Sequence, residues 1–167
     1  MSERFHRVAG YPDEVDAAGA LARLLDGLGF RFCWATEGLD ETDYAFAPRE
    51  DCNSLGWMVQ HIWGLTNWVH RHAVGGQLSR PLSTLEQREH VLEMLWMLRN
   101  HFAALTRDDL LAIRVEGYPF WHMINGPIAD ALTHVGQIQY VRGLLGKKGP
   151  PANVFTCEPP SAPAESM

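Results

Sequence analysis

Two histidines interrupt the apolar stripes of long helical segments in this chain. His61 stands in Val59-Gln60-His61-Ile62-Trp63, with Met58 and Leu65 a turn away, and His134 stands among Leu132, Val135 and Ile138. An imidazole in such a stripe needs both nitrogens satisfied, so each histidine alone fits a hydrogen-bonded core residue. Asp130 changes the balance. It precedes His134 by four residues, and at about 3.6 residues per turn the two project from one helix face, a turn apart. That spacing lets one helix grip a cation with two side chains, and a carboxylate beside an inward-facing imidazole is costly to bury without one. With His61 from a second helix, the set becomes two imidazoles and a carboxylate. Coordination positions would stay open for water or substrate, and the donors suit zinc, iron, nickel or manganese. The alternative keeps Asp130 hydrogen-bonded to His134 or capping a backbone amide after Pro127.

The remaining histidines are weaker candidates. His6, His70, His72, His90 and His101 lie among polar neighbours and fit solvated or capping roles. His122, beside Trp121, stands at the mouth of the last helical segment, where Tyr118 and Asn125 are equally explicable as structural. Gln137, about a turn beyond His134, fits either support for a ligand or helix packing. Trp57, Trp63, Trp96 and Trp121 could wall a pocket, although tryptophans at helical spacing more often fill a core. None of these residues is recognisable as a dedicated general base. An ion at the triad would acidify a bound water or thiol, or polarise a carbonyl.

Four amphipathic helices must position these side chains. The first spans about 13–37, opened by Pro12 with Asp13, Glu14 and Asp16 at its positive end, and striped by Leu21, Leu24, Leu25, Leu28 and Phe32. Residues 39–52 are polar and loop-like. The second starts at Asn53 or Ser54 and ends before Gly75-Gly76, with Leu55, Met58, Ile62, Leu65 and Val69 on one face. The third begins at a Ser83 or Thr84 cap and runs to about Leu105. Residues 108–116 allow a short helix or an extended connection. The fourth covers roughly 120–145, with Gly126-Pro127 as an internal start or kink and Gly146 as its stop. Together they predict an all-α bundle over 1–146, followed by a Pro-rich irregular tail over 147–167.

Composition narrows the function classes. Across 167 residues the net charge is −6, which disfavours general binding to nucleic acid or an anionic membrane surface. Three cysteines without CxxC spacing argue against a disulfide framework or zinc ribbon and fit a reducing compartment. The first thirty residues hold several acids and no apolar signal core, and no apolar run reaches spanning length, so a cytoplasmic protein is expected.

The stretch Asn53-Ser54-Leu55-Gly56-Trp57-Met58-Val59-Gln60-His61-Ile62 resembles the first ligand helix of the DinB/YfiT-like superfamily. Ala131-Leu132-Thr133-His134-Val135-Gly136-Gln137-Ile138, with Arg142 and Gly146, is similar to its last ligand helix. The order and helix assignments agree over about 13–146. The resemblance implies an up-down-down-up four-helix bundle, a divalent ion (often nickel or zinc) held by three histidines, and a homodimer. It also implies, for some relatives, a thiol-dependent transferase or isomerase acting on a small molecule, with a low-molecular-weight thiol as a partner. This chain departs at one ligand: Asp130 stands where the first histidine of the family's pair would be.

Overall fold

The computed structural model describes residues 2–6 and 16–149, and the chain is mostly helical. Helix α1 spans Ala17–Thr36, and the Asp16 carboxylate caps it by accepting the Gly19 N–H at 2.6 Å. The start expected near Asp13 lies outside the described residues, as does the tail from Pro150 onward. The segment expected to be all loop contains a short helix, α2 (Glu41–Tyr44). Asp40 and Asp43 cap it reciprocally, a capping box written with aspartate at both positions. Helix α3 runs Leu55–Ala73 from a Ser54 cap, and α4 runs Thr84–Ala103 from a Ser83–Glu86 capping box.

The ambiguous connection resolves into both alternatives. A short helix, α5 (Arg107–Ala112), is capped by Thr106 and Asp109. It leads into a two-residue-per-strand hairpin, β1 (Arg114–Val115) and β2 (Tyr118–Pro119). Its turn residues Glu116 and Gly117 have φ of 53° and 88°, the paired left-handed geometry of a type I′ turn. Helix α6 (Trp121–Met123) passes through a π-helical turn at Ile124–Ile128 into α7 (Ala129–Leu144).

Helix α1 packs on α4 and α7, and α3 packs on the same two helices, so the four long helices enclose one core. Leu25, Leu28 and Phe32 of α1 meet Leu55, Val59 and Ile62 of α3, Leu92, Leu95 and Leu98 of α4, and Val135 and Ile138 of α7. Each such side chain contributes about 1.5–3 kcal/mol on burial. The first turn of α3 approaches α2 closely at Gly56, where a Cβ would meet the Tyr44 carbonyl oxygen at 2.9 Å. No described helix is long and apolar enough to cross a membrane.

Polar side chains lock the register of these helices. Arg88, near the start of α4, donates from Nε to Thr36 Oγ1 at 2.8 Å and from Nη2 to Glu37 Oε2 at 2.6 Å, at the end of α1. Further along α4, Arg99 Nε donates to the buried Asp26 at 3.2 Å, in the middle of α1. Burial holds the Asp26 carboxyl above its ordinary range despite the Arg99 guanidinium. At the end of α7, Arg142 donates to the Trp34 and Ala35 carbonyls, each at 3.1 Å, reaching residues that α1 leaves unpaired at its C-terminus.

Just beyond α7, Lys147 Nζ donates to Asp43 Oδ2 at 2.6 Å, tying the chain's exit to α2. That bond, with the Asp40 N–H, holds the Asp43 carboxyl below its ordinary 3.8. The stabilisation is therefore complete above that pH and is lost as pH falls through the lowered value. Asp43→Asn should be less stable than wild type at pH 6, with the gap closing below about pH 4. Urea midpoints across pH check this, and a gap constant from pH 6 to pH 3 would refute the ionic account.

Candidate metal centre

His61 lies in the second turn of α3, between Trp57 and Leu65, and His134 and Asp130 lie in the first turns of α7. The α3–α7 contact brings all three together. His61 Nε2 stands 3.1 Å from Asp130 Oδ2, and His134 Nε2 stands 3.5 Å from Asp130 Oδ1. The ligand atoms of the three residues all lie within 4.8 Å of one another. Ligands bound about 2.1 Å from one ion sit roughly 3.0–3.4 Å apart in octahedral or tetrahedral geometry. Two of the observed separations already approach that spacing, and the donor set of two imidazoles and a carboxylate fits a divalent transition metal.

The centre differs from the sequence expectation in its depth. The sequence pattern points inside the core, but the side chains of His61, Asp130 and His134 are 34%, 45% and 12% exposed. The reason is positional. His61 lies on the border of the apolar stripe of α3, in line with half-exposed Trp57 rather than with Val59 and Ile62, which are fully buried. The triad thus sits on the flank where α3 meets α7, with His134 as its inner wall.

Aromatic contacts add to the Asp130 contacts in orienting the two imidazoles. Trp57 stacks on His61 with ring centres 5.0 Å apart at 9°, and meets His134 edge-on at 5.8 Å. The imidazoles themselves meet at 4.7 Å and 75°. Metal-binding histidines ordinarily fix their tautomer by donating from the second ring nitrogen. His134 Nδ1 is buried and has no hydrogen-bond partner among the described residues, so the second-nitrogen bond usual for a metal-binding histidine is absent there, and Trp57 contributes packing only. Trp57 precedes His61 by one helical turn, a spacing that could have revealed this role in the sequence.

The other candidates are distributed differently. His122 stacks on Tyr118 at 4.8 Å and lies 6.3 Å from Trp68, forming an aromatic group of its own. Asn125 is exposed within the π turn, and Gln137 is exposed on α7 a turn past His134. Trp63 is buried, Trp96 packs against Phe5, and Trp121 is 56% exposed. Among the histidines assigned to solvent, His70 is buried instead, because it faces inward from the last turn of α3.

A second group, His6, Cys33 and Glu37, also has its ligand atoms within 4.8 Å. Its cation is already present: Arg88 Nη2 stands 2.6 Å from Glu37 Oε2 and 3.8 Å from Cys33 Sγ. Burial pushes the Cys33 thiol up to about 11, so it remains protonated. That cluster is a structural ion pair.

The π turn is the feature that sequence reasoning missed. Pro127 lacks an N–H, and the Ala129 N–H reaches back to the Ile124 carbonyl, five residues away. One extra residue per turn shifts the register between Trp121 and Asp130, setting the angle at which Asp130 leaves the helix. Gly126-Pro127 is its visible signal, which by itself marks only a start or kink. No family model matches the chain, and neither does any curated protein or solved structure.

A Cβ at Gly126 would meet nothing within 4 Å. Gly126 is not among the glycines of positive φ, so Gly126→Ala should raise stability by roughly 0.5–1 kcal/mol. Thermal unfolding measures this, and a loss of stability would show that the turn needs glycine's freedom.

Proposed function

We propose that this chain is a divalent-metal-dependent enzyme of the DinB/YfiT-like superfamily, transferring or hydrolysing a group on a small molecule. The convergence of His61, Asp130 and His134 from two helices carries this reading. The proposed architecture is the superfamily's up-down-down-up four-helix bundle. It is supported by Arg88 meeting the end of α1 while Arg99 meets its middle, and by Arg142 meeting the same end of α1 from the last turns of α7. It is also supported by the first turns of α3 and α4 lying side by side, with Gly56 3.5 Å from Thr84 Oγ1 as measured from an ideal Cβ.

When bound, nickel, zinc, iron or manganese would lower the pKa of a water or thiol in an open coordination position. The chain's own residues do the rest. Asp130 offers an oxygen to each side of the site and neutralises one positive charge. His61 and His134 supply Nε2, and Trp57 packs against both rings. The half-exposed flank leaves the open positions reachable by a small-molecule substrate, with a low-molecular-weight thiol as the proposed co-substrate. A homodimer belongs to the same proposal.

One observation favours a second reading. Asp130 lies 3.1 and 3.5 Å from the two imidazole Nε2 atoms, within direct ion-pair distance, which equally supports the triad as a plain cross-link between α3 and α7 in a non-catalytic bundle. The two readings separate experimentally. The protein should take up one equivalent of Co(II) or Ni(II), and His61→Ala should weaken that uptake by at least roughly a hundredfold. Asp130→His should retain it, since a third imidazole suits the same metals. Chelator-sensitive turnover of thiol, ester or amide substrates would then support the enzyme. Absence of metal uptake at neutral pH would leave only the cross-link.

A further inference from the structure

Between α7 and the loop that leads into α3 the protein surface opens into a groove of about 920 Å³. One wall is the outer face of α7, where Gly136, Gln137, Tyr140, Val141 and Leu144 follow one another, and Met58 of α3 faces them. The groove lies farther along the same α3–α7 seam as the candidate centre, and none of the three candidate ligands lines it. On α7, Asp130, His134, Gln137 and Val141 are spaced four, three and four residues apart, a single helical stripe whose second half lines the groove. On α3, Met58 stands one turn before His61. The α7 wall from Thr133 to Leu144 covers roughly 16 Å at about 1.5 Å per residue, and its volume suits an organic molecule of ordinary metabolite size.

The lining states the chemistry of the occupant. Tyr140 is 70% and Leu144 52% exposed, so large apolar surface lies open to water along this face. The charged residues at the loop end cancel: Arg49 Nη2 pairs with Asp51 Oδ2 at 3.0 Å. Gln137 and Asn53 add neutral hydrogen-bonding groups. Nothing in this arrangement selects for net charge.

We propose that the groove binds the uncharged, apolar body of the substrate, whose reactive end lies at His61, Asp130 and His134. This rests on the metal reading only for the end that reacts; the apolar site stands on the groove itself. Gly136 offers a direct handle, because a Cβ there meets nothing within 4 Å and a larger side chain would fill the groove without disturbing the core.

Two measurements on the full-length protein test the proposal. In Co(II)-loaded protein, titration with unbranched alkanethiols of two to six carbons is followed by the sulfur-to-cobalt absorption. Affinity should rise roughly fourfold per methylene, and Gly136→Leu should flatten that rise while leaving Co(II) uptake unchanged. Equal affinity across the series, or the same rise in Gly136→Leu, would overturn the link between groove and centre. In metal-free protein, the neutral dye N-phenyl-naphthylamine should bind wild type and His61→Ala alike and Gly136→Leu at least roughly tenfold more weakly. Dye binding that ignores Gly136→Leu, in a variant with wild-type circular dichroism, would overturn the apolar site. Dye binding lost in Gly136→Leu, with no Co(II) taken up by wild type, would uphold the groove and sink the metal reading.

Discussion

The Asp130 carboxylate is shared between two imidazoles, one from its own helix and one from across the α3–α7 contact. His134 reaches it by the four-residue spacing within α7, which any regular helix delivers. His61 reaches it only if α3 and α7 hold a fixed register and rotation. The α3–α7 packing sets that register directly, and polar ties hold the surrounding helices. The Arg88 and Arg99 ties fix α4 to α1, Arg142 fixes α7 to the end of α1, and Lys147 fixes the chain beyond α7 to α2. A slip of one residue in α7 would turn Asp130 about 100° away from His61.

The π turn belongs to the same constraint. Proline at position 127 cannot donate to the α-helical ladder, and the chain answers by widening one turn instead of ending the helix. A π turn inserts a residue without lengthening the helix by a full turn, so it re-aims the residues beyond it while preserving the apolar face beneath. Ile128 at its end and Ala131 and Val135 beyond it are buried. Asp130 consequently emerges on the flank facing His61 while the buried side of α7 keeps its seat against α1.

Helix existence was legible in the sequence because the deciding signals are local. Polar capping residues announce the starts of α3 and α4 through their own neighbours, and of the alternatives Asn53 or Ser54 and Ser83 or Thr84, Ser54 and Ser83 are the caps. The Asp40–Asp43 box failed to register because aspartate does duty at both of its positions, where glutamate or glutamine usually closes it. The hairpin was ambiguous because two-residue strands carry no periodicity, leaving Glu116-Gly117 as its sole mark. Spacing singles out Asp130 and His134, since the i, i+4 relation is visible in a string of letters, and His61 stands out as a break in an apolar stripe. Their depth was not visible. Whether a residue at the border of an apolar stripe faces the core or the flank depends on helix rotation, and rotation is a tertiary property. For the same reason the sequence pattern does not separate buried His70 from histidines in solvated or capping positions.

That shallower depth changes the energetics of the site. A carboxylate sealed in the core between two imidazoles would strongly demand a cation, and the fold would depend on one. At 45% exposure, Asp130 keeps much of its hydration, and its contacts with histidine resemble a surface pair worth at most about 1 kcal/mol. Exposure of this degree places little demand for an ion on the fold, whose burial lies in the aliphatic core. Ion binding would then be a reversible event on a preformed scaffold, with Trp57 packed against the imidazoles. A site of that kind can exchange its ligands and admit a substrate from solvent. Its partial exposure, which weakens it as a structural element, is what would suit it to chemistry.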